Sequence, residues 1–137
     1  MFLKVILRTA LLVTLMTGLG ASILHAQRSD EPLKGRYKTN YGPLKLFPDK
    51  DGVWVGVYNY RGLPAHLYLS RGKSGAFDVI WVQGISEERC SKKQTGSPFW
   101  GRARATFTGK KMLITWAYCD RPIKAAPKFR WTGDYTG

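Results

Sequence analysis

The stretch WGRARATFTGKKMLITWAYCDR, Trp100 to Arg121, decides how this chain folds. Its first half sets Gly101, Ala103, Ala105 and Phe107 against Trp100, Arg102, Arg104 and Thr106. Successive side chains of a strand face opposite sides of a sheet, so this period of two predicts a strand with a small-residue face and a basic face. Gly109-Lys110-Lys111 interrupts the alternation. MLITWAYC then resumes it, with Met112, Ile114, Trp116 and Tyr118 out of phase with Leu113, Thr115, Ala117 and Cys119. Two alternating runs about a glycine turn predict an antiparallel hairpin.

The same pattern extends in both directions. Turn signals recur at Asn40-Tyr41-Gly42, Asp49-Lys50-Asp51-Gly52, Arg61-Gly62, Gly72-Lys73-Ser74-Gly75 and Gly96-Ser97-Pro98. Between them, VWVGVYNY alternates Val53, Val55 and Val57 with Trp54, Tyr58 and Tyr60. LPAHLYLS carries the apolar face Leu63, Ala65, Leu67 and Leu69. AFDVIWVQG sets Phe77, Val79 and Trp81 against Asp78, Ile80 and Val82, so both of its faces are apolar, as in a strand covered on both sides. KFRWTGDY ends the series with Phe129 and Trp131 in phase. Beyond the first 26 residues no segment has helical periodicity, and the class is all-β with seven or eight short antiparallel strands. Closure into an up-and-down barrel hides every strand edge, and a two-sheet β-sandwich is the alternative. Inward-facing Gly101, Ala103 and Ala105 would let a narrow barrel pack or leave room for a ligand. A transmembrane barrel fits poorly, since arginines occupy the face where lipid demands an apolar band.

The chain opens MFLKVILRTALLVTLMTGLGASILHA, with Lys4 and Arg8 ahead of an apolar run relaxed by Gly18 and Gly20, then small residues. This is the layout of a secretory signal, with cleavage expected after Ala26. The organisation read from the sequence is a signal peptide at 1–26, a flexible polar lead-in at 27–33 and one barrel domain at 34–137. Export implies a periplasmic or secreted location. In that oxidising setting Cys90 and Cys119, the only two cysteines, are candidates for a disulfide, with two separately buried thiols as the alternative.

The string GRYKTNYGPLKL, then VWVGVY, WGRARATF, MLITWAY and a terminal WTGDYTG resembles a group of small secreted bacterial domains with a Gly-x-Tyr-x-Thr-Asn-Tyr-Gly start, a Trp-Gly-Arg strand and a Trp-Thr-Gly end. The resemblance spans nearly all of residues 35–137. It implies a lipocalin- or avidin-like up-and-down barrel and supplies no activity. No set of polar residues matching a biotin site aligns with this chain.

The formal net charge is +13, and it is unevenly spread: +2 over residues 27–88 and +9 over residues 89–137. Such asymmetry bears on partners, not on fold. Catalysis has little support. His66 is the only histidine after residue 26, and Glu87-Glu88 reads as a solvated loop pair beside Arg89. No residue cluster has metal-ligand spacing, and no cofactor motif is present. The expectation is an exported, non-enzymatic binding protein whose basic face takes an anionic ligand through Lys92, Lys93, Arg102, Arg104, Lys110, Lys111, Lys128 and Arg130. Interleaved Trp100, Trp116, Tyr118 and Trp131 would serve as flat rests beside these cations. Lipopolysaccharide, anionic lipid or acidic polysaccharide fits an exported chain better than nucleic acid does. The alternatives are a small apolar ligand inside the barrel, or an exported protein partner held by the loop SEERCSKKQTGSPF.

Overall fold

The computed structural model describes residues 30–72 and 74–137; the expected signal peptide and its cleavage site lie outside the described residues. Eight strands follow in chain order: β1 (Gly35–Thr39), β2 (Gly42–Pro48), β3 (Trp54–Tyr60), β4 (Leu63–Arg71), β5 (Phe77–Gln83), β6 (Phe99–Thr108), β7 (Lys111–Tyr118) and β8 (Arg130–Tyr135). Each pairs antiparallel with the next. β8 returns to β1 through Tyr37↔Tyr135, Lys38↔Asp134 and Thr39↔Gly133, so the sheet closes and leaves no edge. Closure settles the choice between barrel and sandwich, and eight is the strand number.

The turns fall where the sequence places them. Tyr60 pairs with Leu63, leaving Arg61 and Gly62 as a two-residue hairpin loop with φ of 50° and 83°. Two successive positive φ values match the right-handed twist of the flanking strands, and glycine takes one at no steric cost. Asn59 Oδ1 accepts from the Gly62 amide at 2.8 Å and braces the turn. Thr108 pairs with Lys111 around Gly109, whose φ is 57°.

Alternation divides inside from outside as the pattern predicts. Leu67 and Leu69 of β4, Phe77, Val79 and Trp81 of β5, and Ile114 of β7 are buried in one continuous core. On β6 the inward residues Gly101, Ala103 and Ala105 are buried, while Arg102, Arg104 and Thr106 are exposed. The small residues face large ones: Trp81 pairs with Gly101 and Phe77 with Ala105. Trp81 Nε1 donates to the Ala117 carbonyl at 3.1 Å, which lays the indole over β6 and onto β7. A Cβ at Gly101 would collide with that ring and with the Ala117 oxygen. Gly101 is therefore a requirement of packing rather than an opening for a ligand.

The barrel end that carries both ends of the described chain is filled. The Leu33 amide donates to Tyr37 Oη at 2.8 Å, and Tyr37 meets Phe107 and Tyr135 edge to face. Pro32 is buried there, and Arg71 pairs with Asp30 at 3.4 Å and with Glu31. The described part of the lead-in, Asp30–Leu33, thus packs onto the barrel.

Cys90 and Cys119 are bonded. The bond pins the β5–β6 connection over the outer face of the sheet, where Val82, Cys90 and Trp100 form a second cluster with Tyr68 and Ile80. Trp100 Nε1 donates to the Lys92 carbonyl at 2.8 Å. This cover is why β5 reads as apolar on both faces. The remaining outer positions of β6, from Arg102 to Thr108, are polar and exposed.

The Gly101 packing gives a direct stability prediction. Gly101→Ala must move backbone or a buried indole, and should destabilise by roughly 3 kcal/mol, measured by denaturant unfolding. Gly133→Ala meets first the flexible Met112 Cε at 2.9 Å and should shift stability by less than about 1 kcal/mol. Equal effects of the two substitutions would contradict the packing described.

Candidate ligand-binding site

In a meander of eight strands, β3, β5 and β7 end, and β4, β6 and β8 begin, at the barrel end away from the filled one. The inward residues near that end are aromatic. Tyr58 and Tyr60 come from β3, Trp81 from β5, Trp116 and Tyr118 from β7, and Trp131 from β8. Together they line a cup of about 220 Å³, open to solvent on one side. This volume is far above the ~10–15 Å³ that one water needs, and below the ~300 Å³ where drug-sized sites begin. The size suits one small organic molecule.

Neighbouring rings in the cup meet edge to face, with interplanar angles from 68° to 90°. That is the preferred geometry of aromatic pairs. Trp131 is packed between Tyr58 at 4.8 Å and Tyr41 at 5.4 Å, centroid to centroid, and Trp116 lies 4.9 Å from Phe129. Polar groups stand higher in the wall. Gln83 Nε2 donates to Tyr58 Oη at 2.8 Å, and Tyr118 Oη donates to Glu87 Oε2 at 3.4 Å. Ser86, Glu87 and Lys128 complete the rim, the last from the short 3₁₀ turn Pro127–Phe129.

Among the described residues, two buried side-chain donors have no hydrogen-bond partner, the indole N–H groups of Trp116 and Trp131. Each such group costs about 1–3 kcal/mol when no acceptor replaces water. The rings packed around them offer π faces, which recover only part of that cost. Both tryptophans line the cup, with the indole nitrogens themselves buried in its wall.

Burial also perturbs the phenols. Desolvation pushes Tyr58 well above the ordinary tyrosine value, against a smaller opposing effect of the Gln83 hydrogen bond. Tyr118 is pushed up to about 12, first by burial and then by the Glu87 carboxylate beside it. Both hydroxyls stay protonated at neutral pH, with Tyr58 accepting from Gln83 and Tyr118 donating to Glu87.

The sequence-predicted anion site is dispersed. All eight of its residues are exposed. Arg104 and Arg130 flank Thr115 in one cross-strand row, and Arg102 lies two residues along β6. Lys110 and Lys111 lie at the filled end of the barrel, and Lys111 is paired with Asp134. Lys92 and Lys93 sit on the disulfide-bonded loop, and Lys128 belongs to the cup. The expected aromatic rests are not beside the arginines. Trp116, Tyr118 and Trp131 project to the opposite side of the sheet, and Trp100 is covered by its loop. His66 stacks on Tyr68, with centroids 6.2 Å apart, away from the cup. Glu87, read as a solvated loop residue, lines the cup while remaining exposed. Tyr58, Tyr60, Trp81 and Gln83 were not singled out by the sequence. Their signal was available: in-phase aromatics crowd the ends of odd strands, which a meander brings to one end.

A tyrosine whose pKa is raised by folding stabilises the native state fully below its unfolded pKa, near 10.0, and that contribution is lost as pH rises through the folded value. Tyr118 should therefore make unfolding free energy fall between pH 10 and about 12. Tyr118→Phe should flatten that decline, read by denaturant unfolding across the range. An unchanged slope would contradict the burial and charge environment assigned to Tyr118.

A scan against protein-family models and searches of curated proteins and of solved structures found no match to this chain.

Proposed function

We propose that this chain is a non-catalytic binding protein that takes one small organic molecule into the aromatic cup at the open end of its barrel. The observation that carries this is a sizeable cavity at the open end lined by aromatic side chains from β3, β5, β7 and β8. Protein interiors are close-packed, so a cavity of this size lined by large rings is a candidate seat for a ligand. The rest of the barrel is packed, so the cup stands apart from it. The eight-strand up-and-down order is that of lipocalin- and avidin-like barrels, and we read the chain as belonging to that architectural group. Fold alone carries no ligand, and the lining has to supply it.

A second reading retains the basic face. Among the described residues, none of the ion pairs engages Arg102, Arg104 or Arg130, so these cations are free to meet an anionic lipid, lipopolysaccharide or acidic polysaccharide. Surface charge of this kind is ordinary on a basic protein, whereas a cavity lined by large rings is not. The cup therefore ranks first.

A fragment screen followed by NMR of the indole N–H signals separates the two. Hits should perturb Trp81, Trp116 and Trp131, and Ser86→Trp, which fills the mouth, should abolish them without lowering the melting temperature. Hits that survive Ser86→Trp would overturn the cup reading. Anionic polymer that perturbs β6 and β8 while no fragment enters the cup would favour the basic face instead.

A further inference from the structure

The cup differs from a flat stacking platform. Its neighbouring rings stand 68° to 90° to one another, so adjacent rings turn toward the space from different directions. A compact, roughly spherical group can touch several perpendicular faces at once. Ring faces carry the negative part of the aromatic quadrupole, so the group they favour is positive.

Charge at the rim points the same way. The described chain is poor in acids, yet Glu87 is held against the ring wall. One of its oxygens accepts from Tyr118 Oη at 3.4 Å, and the other pairs with Arg61 at 3.5 Å. That ion pair is exposed on both sides, so it holds Glu87 without consuming its charge. The rim already places cations over rings: Arg61 lies 5.2 Å above Tyr60, and Lys128 Nζ 5.5 Å above Phe129. With one carboxylate and two cations, the rim as a whole is positive. A simple cation would meet Arg61 and Lys128 as repulsive neighbours. A ligand carrying both signs would not.

Resting on the cup reading above, we propose that the site binds the alkylated ammonium end of a small zwitterion, with Glu87 opposite the cation and Lys128 opposite the anionic end. Alkylation matters because it makes the cation bulky and weakly hydrated, which lowers the cost of leaving water for the ring box. The cavity volume of about 220 Å³ admits a head group and excludes a lipid tail. Such a head group occurs free or on a phospholipid, and the two sources share this chemistry.

Phosphocholine and its carbon isostere, 3,3-dimethylbutyl phosphate, test the inference by titration calorimetry on the intact chain. They have nearly the same shape and differ in the charge of the head. Phosphocholine should bind about tenfold tighter or more, equivalent to about 1.4 kcal/mol. Glu87→Gln should remove most of that preference, and Lys128→Ser should weaken both compounds alike. Equal affinity of the two compounds, or a preference untouched by Glu87→Gln, would overturn the cation assignment. A Lys128→Ser variant that binds both as the parent does would overturn the anionic end. If neither compound binds while fragments still perturb the cup tryptophans, the zwitterion inference falls and the cup reading stands; if fragments also fail, both fall. Vesicles of phosphatidylcholine, compared with free phosphocholine, distinguish a membrane source from a soluble one.

Discussion

The indole of Trp81 lying across Gly101 is the contact on which the interior depends. It is fixed by a hydrogen bond to the Ala117 carbonyl and by the lack of any side chain beneath it. An eight-strand barrel has an interior just wide enough for side chains to fill, so one large ring laid over β6 and reaching β7 takes up much of the space at its level. On one side of that ring lie Phe77, Phe107, Tyr37 and the aliphatic residues of β2 and β4, closely packed. On the other side the aromatic residues splay outward and leave the cup. The small-residue face of β6 therefore gives up its space to Trp81 and Phe77, and the room for a ligand lies above Trp81.

The disulfide belongs to the same design. Cys119 directly follows Tyr118, a wall of the cup, and Cys90 lies three residues after Glu87 on its rim. One covalent bond thus ties the loop carrying Ser86 and Glu87 to the strand carrying Trp116 and Tyr118. Loops are ordinarily the mobile part of a barrel, and a site built on one needs such a tether to keep its geometry. The outer cluster of Val82, Trp100 and Ile80 supports that loop from below. Rim, wall and floor are in this way connected through neighbouring residues of β5, β6 and β7.

The barrel was legible in the sequence because a period of two is a local property. Strands β3 to β8 follow the alternations read from VWVGVYNY to KFRWTGDY, and the hairpins at Arg61-Gly62 and Gly109 follow from residue types that tolerate positive φ. The Cys90–Cys119 bond, a candidate from the cysteine count and the expected oxidising setting, is present. The site was not legible, for a physical reason. Tyr58, Trp81, Trp116 and Trp131 are far apart in the chain and resemble ordinary core residues one strand at a time; only the meander assembles them at one end. The arginines of β6 stood out because charge is conspicuous in a sequence, yet period two places them on the face opposite the aromatics. Glu87 was discounted because solvent exposure and membership of a site are not exclusive, and a rim residue has both.

Trp81, held by the Ala117 carbonyl and seated on Gly101, is a fixed floor of the cup and not one more mobile wall. Hydrogen exchange at its indole N–H, followed by NMR, tests this most directly. A donor held by a buried carbonyl in the closed sheet exchanges only when the barrel itself opens, so its protection should approach that of the slowest backbone amides of β5 and β6. Exchange of the Trp81 indole at the rate of a solvent-exposed tryptophan, while those amides remain protected, would show that the ring is not held by the Ala117 carbonyl.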